Sequence, residues 1–229
     1  MKISIIIPVF NEVNTLKILL KKVIESTVDN KEIIVIDDYS TDGTRNLLQN
    51  NLELKVDKII YNEKNYGKGY SVRQGIKEAS GDIILIQDAD LEYDPSEYKK
   101  LINPFLKFDA DVVYGSRFVG SEEKRVLYFW HTIGNKFLTI MSNIFSDLNL
   151  TDMENCYKLF KSEVIKNINL VENRFGFEPE ITAKIAKKNI KIFEVGVSYN
   201  GRKYSEGKKI TWKDGFSAIR CIIKYNLFN

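Results

Sequence analysis

Histidine is almost missing from these 229 residues: His131 stands alone. One imidazole cannot build a His-based metal site. Cysteine is nearly as scarce. Cys156 and Cys221 share no Cys-x-x-Cys spacing, so no disulfide framework is implied, which fits a reducing compartment. No apolar run approaches the roughly 20 residues a membrane span needs. The first apolar run, residues 3–10, is broken by Pro8 and followed by Glu12, unlike a signal peptide. A cytoplasmic protein is therefore expected, peripheral if it meets a membrane at all. The formal charge of +3 is too small to argue for nucleic acid. Three motifs are also lacking. Without Gly-x-Ser-x-Gly there is no support for a hydrolase nucleophile. Without Gly-x-Gly-x-x-Gly a parallel sheet does not mean NAD, and there is no Walker A spacing.

What is present is apolar and orderly. Hydrophobic residues make up 44%, enough for a substantial core in one domain spanning residues 1–229. Runs at 3–9, 32–38, 58–61 and 111–117 read as strands, and several are β-branched without alternation, as strands covered on both faces are. Helical patterns lie between them, one capped by Asn11 and carrying Leu16, Leu19, Leu20, Val23 and Ile24. This predicts an α/β fold: a mostly parallel central sheet flanked by helices. Beyond Gly120 the chain turns aromatic and basic. The segment 126–148 and the segment 212–227 read as C-terminal amphipathic helices, either packed on the sheet or lying at a bilayer surface.

One stretch organises the rest. Ile83-Ile-Leu-Ile86 runs into Gln87-Asp-Ala-Asp-Leu-Glu92. The acids fall at the carboxyl end of a strand, where open α/β sheets bind ligands. Alternation with Ala89 and Leu91 would point Asp88, Asp90 and Glu92 the same way on an extended backbone. Three converging carboxylates call for a hard cation, Mg²⁺ or Mn²⁺; the other reading is a solvated acidic turn closed by Asp94-Pro95. Asp37-Asp38 ends a second strand, one acid capping the next helix and the other open to a base or ribose. Asn65-Tyr-Gly-Lys-Gly69 is either an anion-binding loop charged by Lys68 or a plain tight turn. Arg117 ends another strand as a candidate phosphate ligand, and Arg202, Lys203, Lys208 and Lys209 add charge late in the chain.

Pro8-Val-Phe-Asn-Glu12, Asp37-Asp-Tyr-Ser-Thr-Asp42, Asn65-Tyr-Gly-Lys-Gly69 and Asp88-Ala-Asp90, in that order, resemble the family 2 inverting glycosyltransferases with the GT-A fold. The polyprenyl-phosphate branch, the dolichol-phosphate mannosyl- and glucosyltransferases, is the closer resemblance. It rests on Gln87-Asp-Ala-Asp-Leu-Glu92, Gly115-Ser-Arg-Phe118, Asp152 with Cys156-Tyr-Lys-Leu-Phe160, and Glu206-Gly-Lys-Lys-Ile-Thr-Trp212. The resemblance implies that Pro8, Asn11, Glu12, Asp38, Lys68 and Asp88 hold a UDP- or GDP-hexose, that Asp88, Asp90 and Glu92 surround Mg²⁺ or Mn²⁺, and that Arg117, Arg202 and His131 meet the acceptor phosphate. Asp90, Arg117 and Asp152 are the implied catalytic residues. Residues 1–120 would form the nucleotide-sugar and metal half, and 121–229 the acceptor and membrane-facing half. Two departures stand out: His131 lies where relatives often carry arginine, and Asn155-Cys156 replaces a small Ser/Thr-Gly pair.

The implied reaction moves a hexose from a nucleoside diphosphate to a dolichyl or undecaprenyl phosphate at the cytoplasmic membrane face. A phosphate monoester is already anionic near neutral pH, so it needs no strong general base. The alternative, a family 2 enzyme acting on a sugar or other hydroxyl acceptor in glycan assembly, needs a carboxylate to take the proton.

Overall fold

The computed structural model describes residues 1–50, 55–126, 128–209 and 212–228. Ile210 and Thr211 of the late motif, and Leu127, lie outside the described residues. The elements, in chain order, are β1 (Ile3–Val9), α1 (Leu16–Glu25), β2 (Lys31–Asp37), α2 (Thr44–Asn50), β3 (Lys58–Tyr61), α3 (Lys68–Glu78), β4 (Ile83–Ile86), α4 (Tyr98–Phe108), β5 (Val112–Ser116), α5 (Phe129–Ser146), β6 (Lys158–Lys161), α6 (Ser162–Lys166), α7 (Phe177–Ala186), β7 (Ile192–Gly196) and α8 (Trp212–Leu227).

The strands form a seven-stranded sheet in the order β3-β2-β1-β4-β6-β5-β7. Among the described residues only β6 runs antiparallel to its neighbours; the other pairings are parallel. The β-branched runs fill the middle: β4 is buried throughout, and β1 almost so, while the edge strands β3 and β7 are half-buried at best. Strands from both sides of Gly120 share this sheet, because β6 lies between β4 and β5.

Helix positions follow from their apolar spacing. Leu16, Leu19, Leu20 and Val23 are the buried face of α1, and each fully buried aliphatic contributes on the order of 1.5–3 kcal/mol. Gly75 lets α3 lie directly on the sheet, since a Cβ there would overlap Ile6. The helix α1 starts at Leu16, with Thr15 at the cap position rather than Asn11, which takes a left-handed φ of 51°. Asn11 is therefore not the cap; its short polar side chain tolerates that conformation and bonds across to the next loop instead. Among the described residues no helix is long and apolar enough to cross a membrane.

Candidate active site

Four loops meet at the carboxyl ends of β1, β2, β4 and β5. The first two are tied together. Asn11 Oδ1 accepts from the amide of Thr41 (2.8 Å), and its own amide donates to Ser40 Oγ (2.9 Å). The amide of Glu12 donates to Thr44 Oγ1. Asp37 pairs with Arg45 at 2.6 Å. Asp38, also buried, accepts from Asn62 Nδ2 (2.8 Å) and from the amides of Tyr66 (3.0 Å) and Gly67 (2.7 Å). Neither aspartate caps α2, contrary to the expectation from sequence. Asp42 serves its first turn, accepting from the amide and hydroxyl of Thr44. Asp38 spends three acceptor positions on the protein's own loop, so it shapes the glycine-rich segment before it can meet any ligand. That segment needs its glycine: Gly67 has φ 101°, and a Cβ there would stand 2.5 Å from the carbonyl oxygen of Asn173.

The acidic stretch does not continue as a strand. Gln87 is pinned by the hydroxyls of Tyr98 (2.7 Å) and Tyr157 (2.8 Å), and the backbone bends from residue 89 to 93. The expected alternation of side chains therefore does not apply. Asp88 turns to Lys68, with Nζ 2.8 Å from Oδ1. Asp90 and Glu92 turn to Arg202. That guanidinium reaches Asp90 Oδ2 at 2.7 Å and Glu12 Oε1 at 3.0 Å, while Glu92 Oε1 accepts from the Arg202 amide at 2.8 Å. Tyr199 adds a hydrogen bond to Glu92 and Lys209 an ion pair to Glu12.

These partners set the charges. Burial opposes a charge on Lys68, but Asp88, Cys156 and Glu178 outweigh it and hold the ammonium's pKa well above its usual value. Burial likewise works against the Asp88 carboxylate, yet Lys68 keeps its pKa below the usual range. Asp90 goes the other way. Burial, then Asp88 and Glu92, push its carboxyl up to about 7 against the pull of Arg202. Among the described residues no three His, Cys, Asp or Glu side chains converge as a ready metal site. The donor chemistry still fits a divalent ion: Asp88, Asp90 and Glu92 offer hard oxygens, and their mutual repulsion at Asp90 is relieved by positive charge.

Across the crevice, Arg117 is clamped by Asp152. Nε and Nη2 each lie 2.7 Å from a carboxylate oxygen, and the Arg117 amide adds a third bond at 2.9 Å. The clamp leaves Nη1 outside. Arg117 also stacks over Tyr199, with the guanidinium carbon 5.2 Å from the ring centroid. His131 lies apart on α5 among aromatics, its Nε2 3.1 Å from the Tyr204 hydroxyl and its ring beside Tyr128. Burial and Lys208 lower its pKa. Pro8 lies in β1, paired with Ile36 of β2.

A match to the model of "Glycosyl transferase family 2" spans residues 4–168. The chain belongs to glycosyl transferase family 2. It is 30% identical over 227 residues to a dolichol-phosphate mannosyltransferase of Pyrococcus furiosus, covering 98% of this chain and 63% of the relative. It is 26% identical over 214 residues to an undecaprenyl-phosphate 4-deoxy-4-formamido-L-arabinose transferase of Proteus mirabilis, covering 90% and 62%. The chain thus spans about three fifths of the length of these two curated relatives. Among solved structures, glucosyl-3-phosphoglycerate synthase of Mycobacterium tuberculosis, crystallised with Mn²⁺, UDP and phosphoglyceric acid, superposes with a TM-score of 0.75 at 16% identity, covering 100% of this chain and 79% of that one. The fold is GT-A, and this family 2 chain is a glycosyltransferase.

Several site groups escaped the sequence reading. Glu178, from α7, sits 3.4 Å from Lys68 and is ion-paired with the buried Lys158. Tyr199 also joins the acidic cluster, whereas Lys209, which pairs with Glu12, belongs to the late basic cluster that the sequence singles out. No local signal marks Glu178 and Tyr199 as site groups, since Lys68 and Glu92, their partners at the site, lie 110 and 107 residues away in sequence.

Proposed function

We propose that this glycosyltransferase moves a hexose from a UDP- or GDP-sugar to a polyprenyl phosphate, with inversion and with a divalent metal. The observation that carries the reading is the uncovered apolar face beside the site. α5 and α8 pack together through Leu138, Met153, Ala218 and Ile222. Outward they leave Trp130, Ile133, Phe137, Ile140 and Ile144 on α5, and Trp212 and Phe216 on α8. On α5 these recur at helical spacing as one stripe. Such a face suits a bilayer surface from which a lipid phosphate is drawn, and the two curated relatives are named for polyprenyl phosphates. A peripheral place at the cytoplasmic membrane face follows from the same reading.

Asp88, Asp90 and Glu92 would hold Mg²⁺ or Mn²⁺. When bound, the ion would supply positive charge to the diphosphate leaving group. Pro8, Asn11, Glu12 and Asp38 frame the nucleotide, with Lys68 bringing a permanently charged ammonium beside Asp88. Arg117 meets the acceptor phosphate through the edge that Asp152 leaves open. Asp152 fixes its plane. Arg202 carries a second guanidinium between the acidic cluster and the acceptor side, and His131 lines the outer part of that path. No carboxylate has to remove a proton from a dianionic acceptor; the task of the arginines is to offset the repulsion of two anions.

The test is transfer from labelled UDP- and GDP-hexoses to a polyprenyl phosphate with Mg²⁺ or Mn²⁺. The expected product carries label into organic solvent. Transfer to free sugars or peptides alone would sink the proposal.

A further inference from the structure

Tyr199 touches both sides of the crevice. Its hydroxyl donates to Glu92 Oε2 at 2.9 Å, and its ring lies against the Arg117 guanidinium, whose carbon is 5.2 Å from the centroid. Glu92 Oε1 already accepts from the Arg202 amide at 2.8 Å. With one donor on each oxygen, the Glu92 carboxylate cannot rotate without losing a hydrogen bond. Arg117 has a different need. Asp152 accepts from Nε and Nη2, which fixes one edge of the guanidinium. A fork held along one edge can still hinge about it, and an aromatic face resists that hinge. Phe118 also lies against the guanidinium, at 5.7 Å, but as the next residue in the chain it moves with Arg117. Tyr199, beyond β7, is a support from outside.

The tyrosine is itself held in place. Its amide donates to the Glu123 carbonyl (3.0 Å), its carbonyl accepts from the Arg125 amide (2.8 Å), and the Asn200 amide donates to the Glu92 carbonyl (2.9 Å). Beside its ring stands that of Tyr93, with centroids 5.3 Å apart, and Tyr93 packs in turn on the buried Tyr157 at 5.0 Å. Tyr157 is one of the two residues that pin Gln87. The half-buried ring of Tyr199 therefore has a fixed backbone below it and a buried aromatic pair at its side.

We propose that Tyr199 is a positioning residue with two separable parts: its hydroxyl sets the Glu92 carboxylate for the divalent ion, and its ring sets the Arg117 guanidinium for the acceptor phosphate. The inference rests on the metal and acceptor reading given above, and adds to it a residue that bonds neither ligand. Outer partners that orient a ligating carboxylate govern metal affinity. A guanidinium ordered beforehand loses less binding energy to ordering when the phosphate arrives.

The test is calorimetric titration of the full chain with Mn²⁺, with farnesyl phosphate and with glycerol 3-phosphate, for wild type, Tyr199→Phe and Tyr199→Leu. Tyr199→Phe keeps the ring and removes the hydroxyl. It should weaken Mn²⁺ binding about tenfold and leave the Kd for farnesyl phosphate within about twofold of wild type. Tyr199→Leu removes both parts. It should weaken Mn²⁺ by the same factor and farnesyl phosphate about tenfold, the worth of one cation–aromatic contact away from water. Tyr199→Met gives the same ring-free measurement where leucine packs poorly. A tyrosine that only filled space would not produce this split, since disturbed packing weakens both ligands together and phenylalanine would not restore one of them alone. Phosphate binding lost as fully in Tyr199→Phe as in Tyr199→Leu, or Mn²⁺ binding unchanged in both, overturns the inference. Preference of the wild type for farnesyl phosphate identifies a lipid source. Equal binding of glycerol 3-phosphate, weakened alike in Tyr199→Leu, supports the role of the ring while speaking against a lipid acceptor. A wild type that binds neither ester overturns the acceptor reading and the role of the ring with it, and the Mn²⁺ titrations still decide the role of the hydroxyl.

Discussion

Asp152 grips Arg117 at three points, two on the guanidinium and one on the backbone amide. Both side chains are largely buried, so removing one partner strands the other. Asp152→Asn and Arg117→Met should each cost about 3–5 kcal/mol of folding stability. The double substitution should cost less than the sum, because neither charge is then left alone. Chemical denaturation of the four proteins measures this. Additive losses would show that the pair does not act as a unit.

The Asp90 carboxyl, pushed up to about 7, links the site to pH. Between the unfolded value near 3.9 and this raised one, the folded state binds more protons than the unfolded chain. Asp90 therefore lowers stability as pH rises through that window, and its effect levels off above about 7. Asp90→Asn should melt higher than wild type at about pH 7.5, by about 2–4 °C per kcal/mol relieved, and should lose transfer activity. Since a metal must displace the proton, Mn²⁺ protection of the wild type against melting should grow with pH through the same window.

Lys68 separates Asp88 from Glu178. In Lys68→Met the two acids face one another with their shared cation gone, a loss on the order of 3 kcal/mol. Nucleotide affinity should fall at least tenfold, read by titration with UDP and GDP. Lys68→Arg should recover the stability in part but not the affinity, because the fork geometry differs from a point charge.

The apolar stripe of α5 can be tested without touching the core. Trp130 and Phe137 are 78% and 55% exposed and lie two turns apart on one face. Trp130→Glu with Phe137→Glu should leave stability within about 0.5 kcal/mol. It should reduce co-sedimentation with anionic phosphatidylglycerol vesicles more than tenfold. Undiminished vesicle binding would show that the α5 stripe is not the membrane face and would remove the observation that carries the proposed function.

The central strands were legible because a run such as Ile83–Ile86 has no polar face to leave uncovered. The acids after it were placed correctly at the carboxyl end of the sheet. Their directions were not, because Tyr98 and Tyr157 pin Gln87 and the chain then bends; a side-chain period holds only while the strand does. Asn11 has the residue type of a helix cap, yet a left-handed backbone sends its side chain to Thr41. Asp38 is bound by a loop 28 residues further on, and Glu12 by Arg202, 190 residues away. Such pairings are decided by how the sheet is threaded, which local pattern does not encode.

The position of β6 has a consequence for how the molecule is made. Residues 158–161 must slot between two strands synthesised far earlier, closing ladders to β4 and β5 on either side. Until they arrive, both strands present open edges of unpaired amides and carbonyls, so a nascent chain stopped near Gly120 has no way to complete its sheet. The central contact is one of high sequence separation, slow to form. The carboxylates after β4 and the arginine after β5 thus acquire their common frame only once the later half of the chain has emerged.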